Sequence, residues 1–94
     1  MSSFPLEILT PDKPFFKGNV DSVVVRGSDG FLGILARHAP LVARLAPGSL
    51  HVKKHDGEQV FNAGAGLVEV TSAGVTVLVD SAESAAGPGA GKSV

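Results

Sequence analysis

The run Ala86-Gly87-Pro88-Gly89-Ala90-Gly91-Lys92-Ser93 has the residue types of a phosphate-binding loop. In such a loop glycine amides cradle phosphates, the lysine reaches the terminal ones and the serine holds magnesium. The strict pattern asks for glycine at Ala86, and the chemistry needs a following helix whose N-terminus faces the phosphates, whereas only Val94 comes after Ser93. The run is therefore read as a glycine-rich tail, with no nucleotide site. His51 and His55 stand four apart, a metal-ligand spacing on a helix. On a strand they share a face about 13 Å apart, so they read as part of a solvated strand face. Gly64-Ala65-Gly66 opens like a dinucleotide fingerprint, but Glu69 occupies the third glycine position and a strand pattern follows. The acidic residues are singletons, there is no Gly-x-Ser-x-Gly elbow, and the absence of cysteine removes thiolate, disulfide and Cys-type zinc chemistry. The expectation is no catalytic residue, no cofactor and no metal.

The elements that would carry these residues are short strands. Phe4, Leu6 and Ile8 fall on one face before Thr10-Pro11-Asp12; Val20-Asp21-Ser22-Val23-Val24-Val25 is β-branched and stops at Gly27-Ser28-Asp29-Gly30. Leu50 and Val52 alternate with Ser49, His51 and Lys53, and Asp56-Gly57 signals a hairpin with Val60-Phe61 returning. Val68 and Val70, then Val75, Val77 and Val79, form the cleanest period-two runs, turning at Ser72-Ala73-Gly74. Short strands at regular spacing, with glycine at most of the turns, predict an antiparallel all-β sandwich or barrel. A helix over Phe31 to Leu45 is the rival, opposed by Gly33 and Pro40. Residues 1–84 are expected to form the sandwich, and 85–94 a frayed tail poor in large apolar side chains.

With 94 residues, 44% hydrophobic and 18% charged, the chain suits one small folded domain. A formal net charge of −1 supplies no basic field for nucleic acid. The richest apolar stretch, Phe31 to Ala46, is broken by Arg37, His38, Pro40 and Arg44, so direct membrane insertion is not expected. No signal peptide is read at the N-terminus. The unusual segment is Gly27 to Val42, with glycines at 27, 30 and 33. It admits two readings: turns and core strands including Leu32, Ile34 and Leu35, or a protein-docking surface with Phe31 at a loop tip and His38-Ala39-Pro40 beside it.

Several motifs in order, Leu6-Glu7-Ile8-Leu9-Thr10-Pro11-Asp12, Phe16-x-Gly18-x-Val20-Asp21, Gly27-Ser28-Asp29-Gly30-x-x-Gly33-Ile34-Leu35, His38-Ala39-Pro40-Leu41, Leu45-x-Pro47-Gly48, Gly64-x-Gly66-Leu67-Val68-Glu69-Val70 and Val75 to Glu83, carry a family resemblance. Over about Leu6 to Glu83 the chain resembles the N-terminal domain of the epsilon subunit of the rotary F-type ATP synthase. The resemblance implies a ten-stranded β-sandwich and a non-catalytic rotor component of the central stalk. It would be a single copy in a hetero-oligomeric complex, binding the gamma subunit and the c-ring and coupling proton translocation to ATP synthesis. It also implies a peripheral location on the cytoplasmic side of a bacterial inner membrane. On matching positions, Ser28, Asp29, Gly30 and Phe31 would face the c-ring; Thr10, His38, Ala39, Pro40, Leu41 and Ala43 would face gamma. Three departures stand out: Arg26 where proline is frequent, Phe31 where an acidic or polar residue is common, and Ala36-Arg37 in place of Pro-Gly. The family's C-terminal helical pair has no counterpart here, so coupling without inhibition by those helices is expected.

Two other classes are discriminable. A free-standing β-sandwich binding a ligand or peptide would show a concave pocket with converging polar groups. A minimal nucleotide binder using Gly91-Lys92-Ser93 would bind ATP saturably, and no such binding is expected.

Overall fold

A computed structural model describes residues 2–85. The phosphate-loop-like run Ala86–Ser93 and residues 86–94 of the expected tail lie outside the described residues. Ten strands follow in chain order: β1 (Phe4–Leu9), β2 (Pro14–Val20), β3 (Ser22–Gly27), β4 (Gly30–Leu35), β5 (Leu41–Leu45), β6 (Gly48–Lys54), β7 (Gly57–Ala63), β8 (Gly66–Thr71), β9 (Gly74–Val79) and β10 (Ala82–Ser84). The all-β expectation is met, and Phe31 to Leu45 forms two strands and a turn rather than a helix.

One layer is β4-β3-β6-β7-β10 and the other β5-β8-β9-β1-β2, hydrogen-bonded into one sheet because β3 pairs with β6 at Ser22–Val24 and with β5 at Gly27↔Leu45. Every pairing is antiparallel except β1 with β9, whose register runs parallel from Leu6↔Val75 to Leu9↔Leu78. Across the open side, Phe15 and Phe16 of β2 pack on Phe61 of β7, the first pair edge-on with centroids 5.1 Å apart.

Alternation fills the space between the layers. Phe4, Leu6, Ile8, Val23, Val25, Leu50, Val52, Val68, Val70, Val75, Val77 and Val79 are all buried, and no polar or charged side chain is buried among the described residues. A core of this composition is held by apolar burial and close packing, with the buried backbone groups satisfied by the strand ladders and no internal polar side chain among the described residues.

Several sequence expectations need correction. The β-branched run from Val20 is not one strand: it divides at Asp21, whose N–H donates to the Lys53 carbonyl at 2.7 Å. Val20 and Val23 are both buried three residues apart, which a single strand of period two cannot provide. Leu35 is not core; it is 64% exposed, because only Leu32 and Ile34 take the inward positions opposite Val25 and Val23. His55 sits in the β6–β7 turn, not on the strand with His51. That hairpin forms as Asp56-Gly57 suggests, but His55 and Asp56 are its two loop residues, and Gly57 follows them at φ +149°. The turns closed by Gly30 and Gly74 have the same form.

Candidate functional site

The β3–β4 turn presents Ser28 and Asp29 exposed, Gly30 half-buried and Phe31 62% exposed. Phe31 stands opposite Arg26, whose guanidinium carbon lies 5.3 Å from the ring centroid. That stacking orients an exposed ring at modest energy. The turn is tied to β5: Ser28 N–H donates to the Arg44 carbonyl at 3.2 Å, and Ala46 N–H to the Arg26 carbonyl at 3.0 Å. Phe31, Gly33 and Leu35 share the outward side of β4, which among the described residues has β3 as its only partner strand, so an apolar row runs along a sheet edge. A side chain at Gly33 would meet nothing within 4 Å.

The second group begins at the opposite end of β4. His38 N–H donates to the Leu35 carbonyl at 3.1 Å, closing a four-residue turn in which Arg37 takes φ 67°. With positive φ at the third position and none at Ala36, this is a type II turn, the form that Pro-Gly favours. His38 Nδ1 lies 2.7 Å from the Ala39 carbonyl oxygen and donates its N–H to it. Ala39 and Pro40 are exposed.

The structure separates the six residues assigned to one partner. Leu41 stands opposite Val70 and Ala43 opposite Val68, so both side chains turn to the inner face and pack half-buried against the core. The outward residue between them is Val42, 66% exposed. Thr10 lies at the far end, its hydroxyl donating to the Lys13 carbonyl at 2.9 Å in the β1–β2 connection. Its neighbour Leu9 is level with Leu78, Leu67 and Arg44, so Thr10 stands about four residues, roughly 13 Å, along the strands from the row of Leu41. Thr10 and the Ser28–Phe31 turn thus share one end of the sandwich, and His38–Pro40 the other.

Two further outward apolar residues lie outside the assigned partner contacts. Leu67 and Leu78 face each other across β8 and β9 at 41% and 42% exposure. Their signal was parity: Leu67 shares the face of Glu69, and Leu78 that of Thr76 and Asp80. Gly64 and Gly66, weighed as a fingerprint, serve close approach. A Cβ on Gly66 would overlap the Leu78 carbonyl oxygen, and one on Gly64 the Asp80 carboxylate. His51 Nδ1 reaches Glu58 Oε2 at 3.3 Å on the exposed face, and the described residues hold no group of three metal-capable side chains.

Comparison with known proteins places these features in a family. The pattern described as ATP synthase, Delta/Epsilon chain, beta-sandwich domain matches residues 3–85. The ATP synthase epsilon chain of Leptospira interrogans is 41% identical over 75 residues, covering 80% of this chain and 59% of its own length. That of Alkalihalophilus pseudofirmus is 43% identical over 83 residues, covering 88% and 62%. The chain thus spans about three fifths of the length of these relatives. In fold it resembles a chain of the mitochondrial ATP synthase of Euglena gracilis, with a TM-score of 0.85 at 24% identity over 94% of this chain and 57% of that one.

Proposed function

Because the chain belongs to the ATP synthase delta/epsilon β-sandwich family, we propose that it is a non-catalytic rotor subunit of the central stalk of an F-type ATP synthase. It docks on the gamma subunit and the c-ring and helps to couple proton translocation to ATP synthesis. Its place is peripheral, on the cytoplasmic side of a bacterial inner membrane. The observation that carries this reading is the family match over 83 consecutive residues, from 3 to 85.

The geometry supports it. A stiff apolar core suits a part that bears torque, and the exposed features are docking features. The turn Ser28, Asp29, Gly30 and Phe31 offers an aromatic tip for the c-ring. The edge from His38, Ala39 and Pro40 along Leu41 and Ala43 to the end that carries Thr10 offers gamma one long side of the sandwich, with Val42 as its outward apolar contact. A ligand-binding module is supported less well, since the polar side chains at the concave His38 end, Ser2, Ser3, Arg37, His38 and Ser72, stand at its rim and none of them is buried.

The test is calorimetric titration with purified gamma from the same source. Leu41 is unsuited to substitution by a charge, because it packs against the core. His38→Asp with Ala39→Asp changes only the loop before β5. An interface of standard size buries about 1,600 Å², and charges near its centre should weaken binding by about tenfold or more. One-to-one binding that survives the double substitution unchanged refutes this surface; no binding by the folded wild type refutes gamma docking.

A further inference from the structure

We propose that the cavity at the His38 end of the sandwich receives a carboxylate side chain of a partner protein, with Arg37 as its ion-pairing residue. The proposal rests on the docking reading above and goes beyond it by stating the chemistry of the contact.

The cavity measures about 480 Å³. Its floor is the apolar end of the core at Phe4, Val70 and Val75; its rim carries Arg37, His38, Ser2, Ser3 and Ser72. No carboxylate lines it among the described residues. Thr71 also borders it, but its hydroxyl donates to the Gly74 carbonyl at 3.4 Å and accepts from the Ala73 N–H at 3.1 Å, so it stiffens the wall instead of reaching for a ligand. The rim therefore sets three serine hydroxyls that can donate, Ser2, Ser3 and Ser72, around one permanent cation.

Arg37 is the distinctive member. Its guanidinium has no ion-pair partner among the described residues, and it is exposed. It holds the third position of a type II turn at φ 67°, where glycine or asparagine would be unstrained. The turn hydrogen bond from His38 N–H to the Leu35 carbonyl fixes the Arg37 Cα at the cavity mouth. A five-donor planar fork held there matches a carboxylate better than any other protein group.

Openness decides between a free anion and a protein side chain. With no polar side chain buried among the described residues, the cavity cannot by itself strip water from a small anion. A protein carboxylate brings its own backbone as a cover, and the exposed Ala39 and Pro40 beside the rim give that cover an apolar seat.

The experiment follows backbone amides of the full chain by NMR during titration with acetyl-Gly-Glu-Gly-amide, its Gln counterpart, and inorganic phosphate. The expected result is saturable movement at Arg37, His38 and Ser72 with the glutamate peptide. Binding should be at least about fivefold weaker with the glutamine peptide, and as much weaker in Arg37→Gln, which keeps the backbone geometry but removes the charge. Equal binding of the two peptides, no saturable movement, or an unaffected Arg37→Gln overturns the proposal; tighter binding of phosphate overturns the carboxylate assignment. In the gamma titration, Arg37→Gln should weaken binding by about fivefold near 50 mM salt, with a smaller loss near 500 mM. An unchanged affinity there overturns the proposal. If the peptides behave as expected while wild type fails to bind gamma, the carboxylate site stands and the docking reading falls.

Discussion

Replacing Arg37 by glycine should stabilise the domain. The left-handed conformation at φ 67° costs a non-glycine residue about 1–2 kcal/mol. Against this, glycine adds about 0.5–1 kcal/mol of conformational freedom to the unfolded chain. The side chain is exposed and unpaired among the described residues, so little packing or ion-pair energy is lost. The net gain is about 0.5–1 kcal/mol, which for a domain of this size raises the midpoint of thermal unfolding by about 3–6 °C. Ala36→Gly is the control, since Ala36 has no positive φ and glycine there should cost about 0.5–1 kcal/mol. Urea and thermal unfolding followed by far-ultraviolet circular dichroism measure both variants. If Arg37→Gly is no more stable than Ala36→Gly, the type II strain argument is wrong. The same variant should bind gamma more weakly, so stability and docking move in opposite directions at one position.

Gly66→Ala should be among the most damaging single-methyl changes, because the new Cβ collides with the Leu78 carbonyl on a paired strand; a loss of more than about 3 kcal/mol is expected. Gly33→Ala, into open space on an outward strand position, should change stability by less than about 0.5 kcal/mol in the same urea titration, and equal effects would refute the close-approach account. Val77→Ala, fully buried, should cost about 2–3 kcal/mol, whereas Val42→Ala, 66% exposed, should stay within about 0.5 kcal/mol. Phe31→Asp should leave the unfolding midpoint nearly unchanged and lower the ratio of protons pumped to ATP hydrolysed in reconstituted enzyme; a wild-type ratio would count against the c-ring contact.

What could be read in the sequence follows from where each strand lies. β8 and β9 are flanked on both sides and buried on one face, so Val68, Val70, Val75, Val77 and Val79 alternate without interruption and were legible. β2 lies at an edge and curves over β7, leaving Phe15 and Phe16 both half-buried; periodicity alone could not find it. Leu35 looks like core by composition, but parity against Val23 and Val25 decides otherwise, and parity needs the register. Leu41 and Ala43 show the converse: the motif match proposes them for a partner, and only the register shows that their pairing with Val70 and Val68 half-buries them against the core. The parallel pairing of β1 with β9 joins residues some seventy apart and leaves no local signal.

The proposed division of labour depends on β5 more than on either docking group. β5 is five residues long, its first residue following the His38–Pro40 loop and its last pairing with Gly27 beside the Ser28–Phe31 turn. Two backbone hydrogen bonds, from Ser28 and from Ala46, fasten that turn to the end of β5, and full pairing with β8 fastens β5 to the rest of the sandwich. Displacing the turn therefore requires breaking backbone hydrogen bonds or dragging the strand that leads to the gamma-side loop. No side-chain switch is needed for such a connection, since the ladder itself is the stiff element. This is why the most exposed apolar residues can sit on edges and turns while the core remains purely apolar. In the proposed arrangement the two docking groups stand at the ends of this strand, and the strand is the element that would carry load between them.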